Sequence, residues 1–133
     1  MTHHIPPDQD AEGERPRILI VDDIAANLTA MRVLLRRMDA EIMTAQSGNE
    51  ALSLALDHRF ALVLLDVQMP GMDGFEVATL LRDGPFSAET PIIFMTASNA
   101  DEFSQLRGYD SGAIDYIGKP IKERILLSKV RLF

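Results

Sequence analysis

Five short apolar runs punctuate the chain at near-regular intervals: RILIV (17–21), EIMTA (41–45), ALVLL (61–65), PIIFM (91–95) and AIDYI (113–117). Between the first two, Leu28, Met31, Leu35 and Met38 recur at helical spacing while Arg32, Arg36 and Arg37 fall elsewhere, the pattern of an amphipathic helix. Further helical stretches are predicted from Asn49 to Leu56, from Phe75 to Leu81, near Asp101 to Arg107, and from about Lys122 onward. Short strands alternating with helices imply βαβ units with right-handed crossovers, hence an α/β fold whose mostly parallel sheet is covered on both faces. Three of the runs are continuously apolar, as strands buried on both faces should be.

In such a sheet, ligands gather at the carboxyl ends of the strands. Asp22 and Asp23 follow the first run, Asp66 the third, Thr96, Ala97 and Ser98 the fourth, and Gly118, Lys119 and Pro120 the fifth; the second is followed by QSG, an ordinary turn. The run at Asp66 continues as VQMPGMDG, a sharp turn served by Gly71 and Gly74, with Asp73 placed to cap the next helix. A carboxylate at the end of a buried strand costs several kcal/mol unless it is paired. Three together are worse, since two charges 4 Å apart repel by about 4 kcal/mol at an effective dielectric near 20. A hard divalent cation such as Mg²⁺ suits this oxygen-rich set. Lys119 supplies a second positive charge, and with a hydroxyl nearby the group can stabilise a phosphoryl group in transfer, Asp66 serving as nucleophile.

Each residue also has a plainer reading. Asp22 and Asp23 could cap the helix beginning near Asn27, Asp66 could be a turn residue, and Thr96 and Tyr116 could be ordinary strand residues. Lys119 could be solvated, with Pro120 fixing the local backbone and able to adopt the cis form. The methionines at 31, 38, 43 and 95 read as core filler. The joint order of the polar strand ends carries the signal.

A length of 133 residues suits one domain. Residues 1–16, with three prolines, four acids and no apolar periodicity, read as a flexible lead in which His3 and His4 belong to a linker or tag rather than a metal site. No apolar run approaches the roughly 20 residues of a spanning helix, and no signal sequence opens the chain, so a cytoplasmic location without membrane insertion is expected. The absence of cysteine removes disulfide and thiolate chemistry. A net charge of −7 argues against direct nucleic-acid binding. The final stretch, KERILLSKVRLF, is amphipathic to Phe133 without a Gly or Pro stop, as in a domain excised from a longer protein within its last helix; a full-length reading frame ending at Phe133 would contradict that.

The acidic pair Asp22–Asp23, the Asp66 that precedes MPGMDG, the TA at Thr96–Ala97 and the YIGKP ending at Pro120 together resemble the receiver domain of two-component response regulators, from about residue 17 onward. The resemblance implies a five-stranded, doubly wound, flavodoxin-like sheet of order 2-1-3-4-5 flanked by five helices. It further implies that Asp66 accepts a phosphoryl group from a histidine kinase or histidine phosphotransfer protein. Asp23, Asp66 and the backbone carbonyl of Gln68 would bind Mg²⁺ directly, and Asp22 mainly through coordinated water. Lys119 would contact the phosphate, Thr96 would move to bond with it, and Tyr116 would turn inward. That would alter the face made by the helix near Asp101–Arg107, the fifth strand and the last helix, which would engage a partner or output domain. Gln68 and Ser98 stand where the family tunes hydrolysis. The resemblance implies a signalling domain that assists its own phosphorylation and dephosphorylation rather than an enzyme, and it allows a homodimer.

Two other classes are disfavoured. An aspartate-nucleophile phosphohydrolase of the haloacid dehalogenase type needs Asp-x-Asp on the first strand, where Asp22 is followed two positions later by Ile24. A nucleotide-binding domain needs a glycine-rich cradle where this chain has DDIAAN. The remaining alternative is a receiver-like interaction module whose conformation does not depend on phosphorylation.

Overall fold

The computed structural model describes residues 15–97 and 115–131. Five parallel strands, β1 (Arg17–Val21), β2 (Glu41–Ala45), β3 (Leu62–Asp66), β4 (Ile92–Thr96) and β5 (Asp115–Gly118), form one sheet in the order β2-β1-β3-β4-β5. Four helices are described: α1 (Ala25–Leu34), α2 (Gly48–Asp57), α3 (Gly74–Leu81) and α4 (Glu123–Val130). The helix expected near 101–107 lies outside the described residues, as do most of the expected lead and Ser98.

Strand alternation divides the core in two. Leu19, Val21, Val63, Leu65, Ile92 and Phe94 point to one face, where Ala51 and Ala55 of α2 and Phe75, Val77, Ala78 and Leu81 of α3 cover them. Ile18, Ile20, Leu62, Leu64, Ile93, Met95 and Ile117 point to the other, beneath Leu28 and Met31 of α1 and Leu126 and Val130 of α4. Every residue of β3 and β4 is buried, so the central strands have no solvent face to relax toward. Met31 and Met95 are buried in the core, and Met38 and Met43 pack at its margin.

The helix starts follow local chemistry. Ser47 caps α2 by accepting from the Glu50 amide, and Asp73 and Glu76 form a reciprocal capping box on α3. Helix α1 ends at Leu34, although the apolar spacing runs on through Leu35 and Met38. Those two residues reach the core from tight turns closed by Arg36 N–H to Val33 O at 3.3 Å and Met38 N–H to Leu35 O at 2.9 Å.

Candidate functional site

Parallel register brings the carboxyl ends of β1, β3, β4 and β5 to one edge. Val21 pairs with Leu65, Asp66 with Met95, and Thr96 with Gly118. Asp66 is itself the last residue of β3, and Thr96 the last of β4. Asp22 directly follows β1, its amide donating to Ala45 O at 3.1 Å. Lys119 directly follows β5, tied by its amide to Thr96 O at 2.8 Å.

The turn after Asp66 is packed against the strand end it leaves. Gly74 N–H donates to Val67 O at 2.9 Å. A Cβ on Gly74 would strike the Asp66 carbonyl oxygen and come within 2.9 Å of Val67 Cα, so only glycine lets α3 start this close to the nucleophile candidate. Gly71 takes φ +81°, the left-handed region that favours glycine. The Lys119–Pro120 peptide is cis.

Asp22, Asp23 and Asp66 each present a carboxylate oxygen within 4.8 Å of the others. Asp22 and Asp66 are buried, at 1% and 4% exposure, and Asp23 is half-buried. Lys119 Nζ lies between the two buried acids, 3.1 Å from Asp66 Oδ1 and 3.3 Å from Asp22 Oδ2. Asp66 Oδ1 also accepts from the Gln68 amide at 3.4 Å, a long contact. Burial pushes the Asp66 carboxyl above its usual range; Lys119 opposes that rise and Asp22 adds to it. Burial works to lower the Lys119 pKa, but the hydrogen bonds and attraction from Asp66 and Asp22 outweigh it and hold the ammonium above its usual range.

Among the described residues, one ammonium therefore pairs with two members of a three-carboxylate group. The donor set is all oxygen, compact and short of positive charge, which fits a hard divalent ion such as Mg²⁺. Thr96 is buried at the strand end beside this group. Tyr116, in register with Phe94, is half-buried against the core face that carries α2 and α3. Ala97 is exposed at the end of the described segment.

Asn27 is the site residue that sequence reasoning missed. Its Nδ2 donates to Asp22 Oδ2 at 3.2 Å. The available signal was an amide five positions after an acid, one helical turn into α1. Neither Asp22 nor Asp23 serves as the helix cap: Ile24 is the N-cap and no side chain caps it, although Asp22 Oδ1 accepts from Ile24 N–H at 2.9 Å.

Residues 18–131 match the family model described as response regulator receiver domain. The response regulator PleD of Caulobacter vibrioides is 40% identical over 115 residues, 86% of this chain and 25% of that protein. The transcriptional regulatory protein SrrA of Staphylococcus aureus is 41% identical over 114 residues, 86% of this chain and 46% of that protein. The chain thus spans a quarter to just under half the length of these two relatives. Among solved structures, Vibrio cholerae chemotaxis protein CheY4 superposes with a TM-score of 0.82 at 30% identity, covering 89% of this chain and 98% of that one. The receiver domain of sensor histidine kinase PA1611 from Pseudomonas aeruginosa, solved with a magnesium ion coordinated in its active-site cleft, superposes with a TM-score of 0.80 at 27% identity, covering 89% and 96%.

Proposed function

The chain belongs to the response regulator receiver domain family, and from that premise we propose that it is a phosphorylation-operated switch in which Asp66 is the phosphoacceptor. The observation that carries the reading is a buried carboxylate at the end of a central strand, 3.1 Å from the single ammonium that it shares with a second buried acid. The donor is a phosphohistidine on a histidine kinase or histidine phosphotransfer protein. An Asp66 carboxylate oxygen bonds to phosphorus as the phosphorus–nitrogen bond breaks, and the departing imidazole keeps the electron pair and takes up a proton. Lys119 opposes the burial that pushes the Asp66 carboxyl up, then faces the phosphoryl oxygens. Asp23, Asp66 and the Gln68 carbonyl are the direct Mg²⁺ ligands in this reading, with Asp22 acting through water. Magnesium, when bound, neutralises the carboxylates and the phosphoryl oxygens together. The magnesium in the active-site cleft of the PA1611 receiver domain supports, by similarity, a magnesium ion in the corresponding cleft here.

The added phosphate brings about −1.5 to −2 charges and three strong acceptors. Thr96 and Lys119 satisfy them by shifting the loops after β3 and β4, and Tyr116 turns into the space vacated by the Thr96 loop. The face around β5 and α4 then changes its fit to a partner or output domain. Moving a population from 1:99 to 99:1 takes about 5.5 kcal/mol. Two or three charge-assisted hydrogen bonds, at roughly 1.5–3 kcal/mol each, reach that figure.

The reading is tested by intact mass after incubation with acetyl phosphate and Mg²⁺. One phosphoryl adduct, absent with EDTA and absent in Asp66→Asn, is expected. No adduct on a folded sample that is also given a phosphorylated histidine-containing donor domain would overturn it in favour of a phosphorylation-independent interaction module.

A further inference from the structure

Asn27 occupies the third position of α1. Asparagine is a weak helix former, and α1 has no side-chain cap for it to reinforce. The amide instead turns back to the acid before the helix, donating from Nδ2 to Asp22 Oδ2 at 3.2 Å. Lys119 Nζ reaches the same oxygen at 3.3 Å, and Ile24 N–H holds Oδ1 at 2.9 Å. A carboxylate has about four lone-pair sites and a broad terminal torsion. Three donors from three directions occupy three of those sites and fix the plane of the group. Among the described residues, one site, on Oδ1, remains.

We infer that Asn27 is a positioning residue for the cation site: by fixing the Asp22 carboxylate together with Lys119 and Ile24, it leaves one oriented acceptor for a cation-bound water and keeps Asp22 from closing directly on the ion. The inference rests on the magnesium-dependent reading above. It assigns to α1 a part in cation affinity that no carboxylate of the cluster reveals by itself. Partners that orient metal ligands from outside the coordination shell typically contribute 10- to 100-fold in metal affinity. Asn27 lies one step further out, acting on a ligand that works through water, so the lower end of that range applies.

The test is a Mg²⁺ titration of the protein followed by the backbone amide resonances of Asp66 and Gln68, which reads affinity without any turnover. Asn27→Leu keeps the bulk of the side chain and removes the donor; its dissociation constant for Mg²⁺ is expected to rise about tenfold. The same substitution in an Asp22→Asn background is expected to change it less than twofold, because the effect passes through the Asp22 carboxylate. Asn27→Ala, with the same expectations, replaces the leucine variant if the latter loses its dispersed amide spectrum. An unchanged dissociation constant in a folded Asn27 variant would overturn the inference, as would an equal loss in both backgrounds. Phosphodonors separate this from failure of the functional reading: a wild-type protein that binds Mg²⁺ without forming an adduct from acetyl phosphate or from a phosphorylated histidine-containing donor domain refutes the phosphoacceptor role, while the titration still decides the part played by Asn27.

Discussion

The two ends of the sheet hold charges in opposite ways. At the amino end, Arg15 meets Asp39 at 3.4 Å and Arg17 meets Glu41 at 3.1 Å, two cations against two acids. The Arg15–Asp39 pair is open to water, with 59% and 93% of the side chains exposed. Backbone bonds do the fastening there: Glu41 N–H to Pro16 O and Ala61 N–H to Arg17 O, both at 2.8 Å. At the carboxyl end the same strands deliver three acids and one lysine, with two of the acids buried. Charge at the first end is balanced, and its Arg15–Asp39 pair is weakly coupled to the fold. Charge at the second is concentrated, desolvated and left in deficit of cations, an arrangement that costs stability in the resting protein and that a cation and a phosphoryl group can use.

The contrast can be broken by substitution, and the largest effect is expected at Lys119. Removing one partner of a fully buried pair costs roughly 3–5 kcal/mol. Because 27% of the Lys119 side chain is exposed, Lys119→Met is expected to destabilise the fold by about 2–3 kcal/mol in EDTA, read by urea unfolding at neutral pH. A loss below about 0.5 kcal/mol would mean that the acids are solvated after all. Next in size is magnesium itself. At ten times its dissociation constant, Mg²⁺ is expected to add about 1.4 kcal/mol to wild-type stability and to add far less to Asp23→Asn or Asp66→Asn, which differential scanning calorimetry would report.

Asp66→Asn in EDTA sharpens the same point from the other side. The folded protein raises the Asp66 pKa, so the native state binds a proton here more tightly than the unfolded chain does. That contribution is fully present below the unfolded pKa and is lost as pH rises through the folded one, leaving a penalty for the ionised group at neutral pH. Replacing the carboxylate is therefore expected to raise Tm at pH 7, with the gain fading as the pH falls toward the unfolded carboxylate range. A Tm difference that stays constant with pH would place its origin elsewhere. At the amino end, Asp39→Asn is expected to change stability by no more than about 0.5 kcal/mol, and a larger loss would erase the distinction between the two ends.

Much of this was legible in the sequence, for reasons specific to each element. The central strands followed from unbroken apolar runs, because burial on both faces permits little else, whereas the strand order came only from the resemblance to the receiver family. The strands were nevertheless misplaced by one residue at β3 and β4: counting apolar residues started at Ala61 and Pro91, whereas the hydrogen-bonded ladders run through the polar ends Asp66 and Thr96. The end of α1 was hidden for a related reason, since Leu35 is buried whether it lies in a helix or in the turn beyond. Asp22, Asp66 and Lys119 were recognisable as residues that follow strands, and the structure brings them together. The Asn27 contact with Asp22 and the near-contact of Gly74 with the Asp66 carbonyl were not legible, because both depend on how one turn folds back on a strand end.

The most direct measurement asks which of three neighbouring carboxylates takes the phosphoryl group. After reaction with acetyl phosphate and Mg²⁺, hydroxylamine converts an acyl phosphate to a hydroxamate at the residue that carried it, and peptide mass mapping locates it. A hydroxamate at Asp66 alone is the expected result. A hydroxamate at Asp22 or Asp23, or none on folded protein with Mg²⁺ bound that is also given a phosphorylated histidine-containing donor domain, would contradict the account.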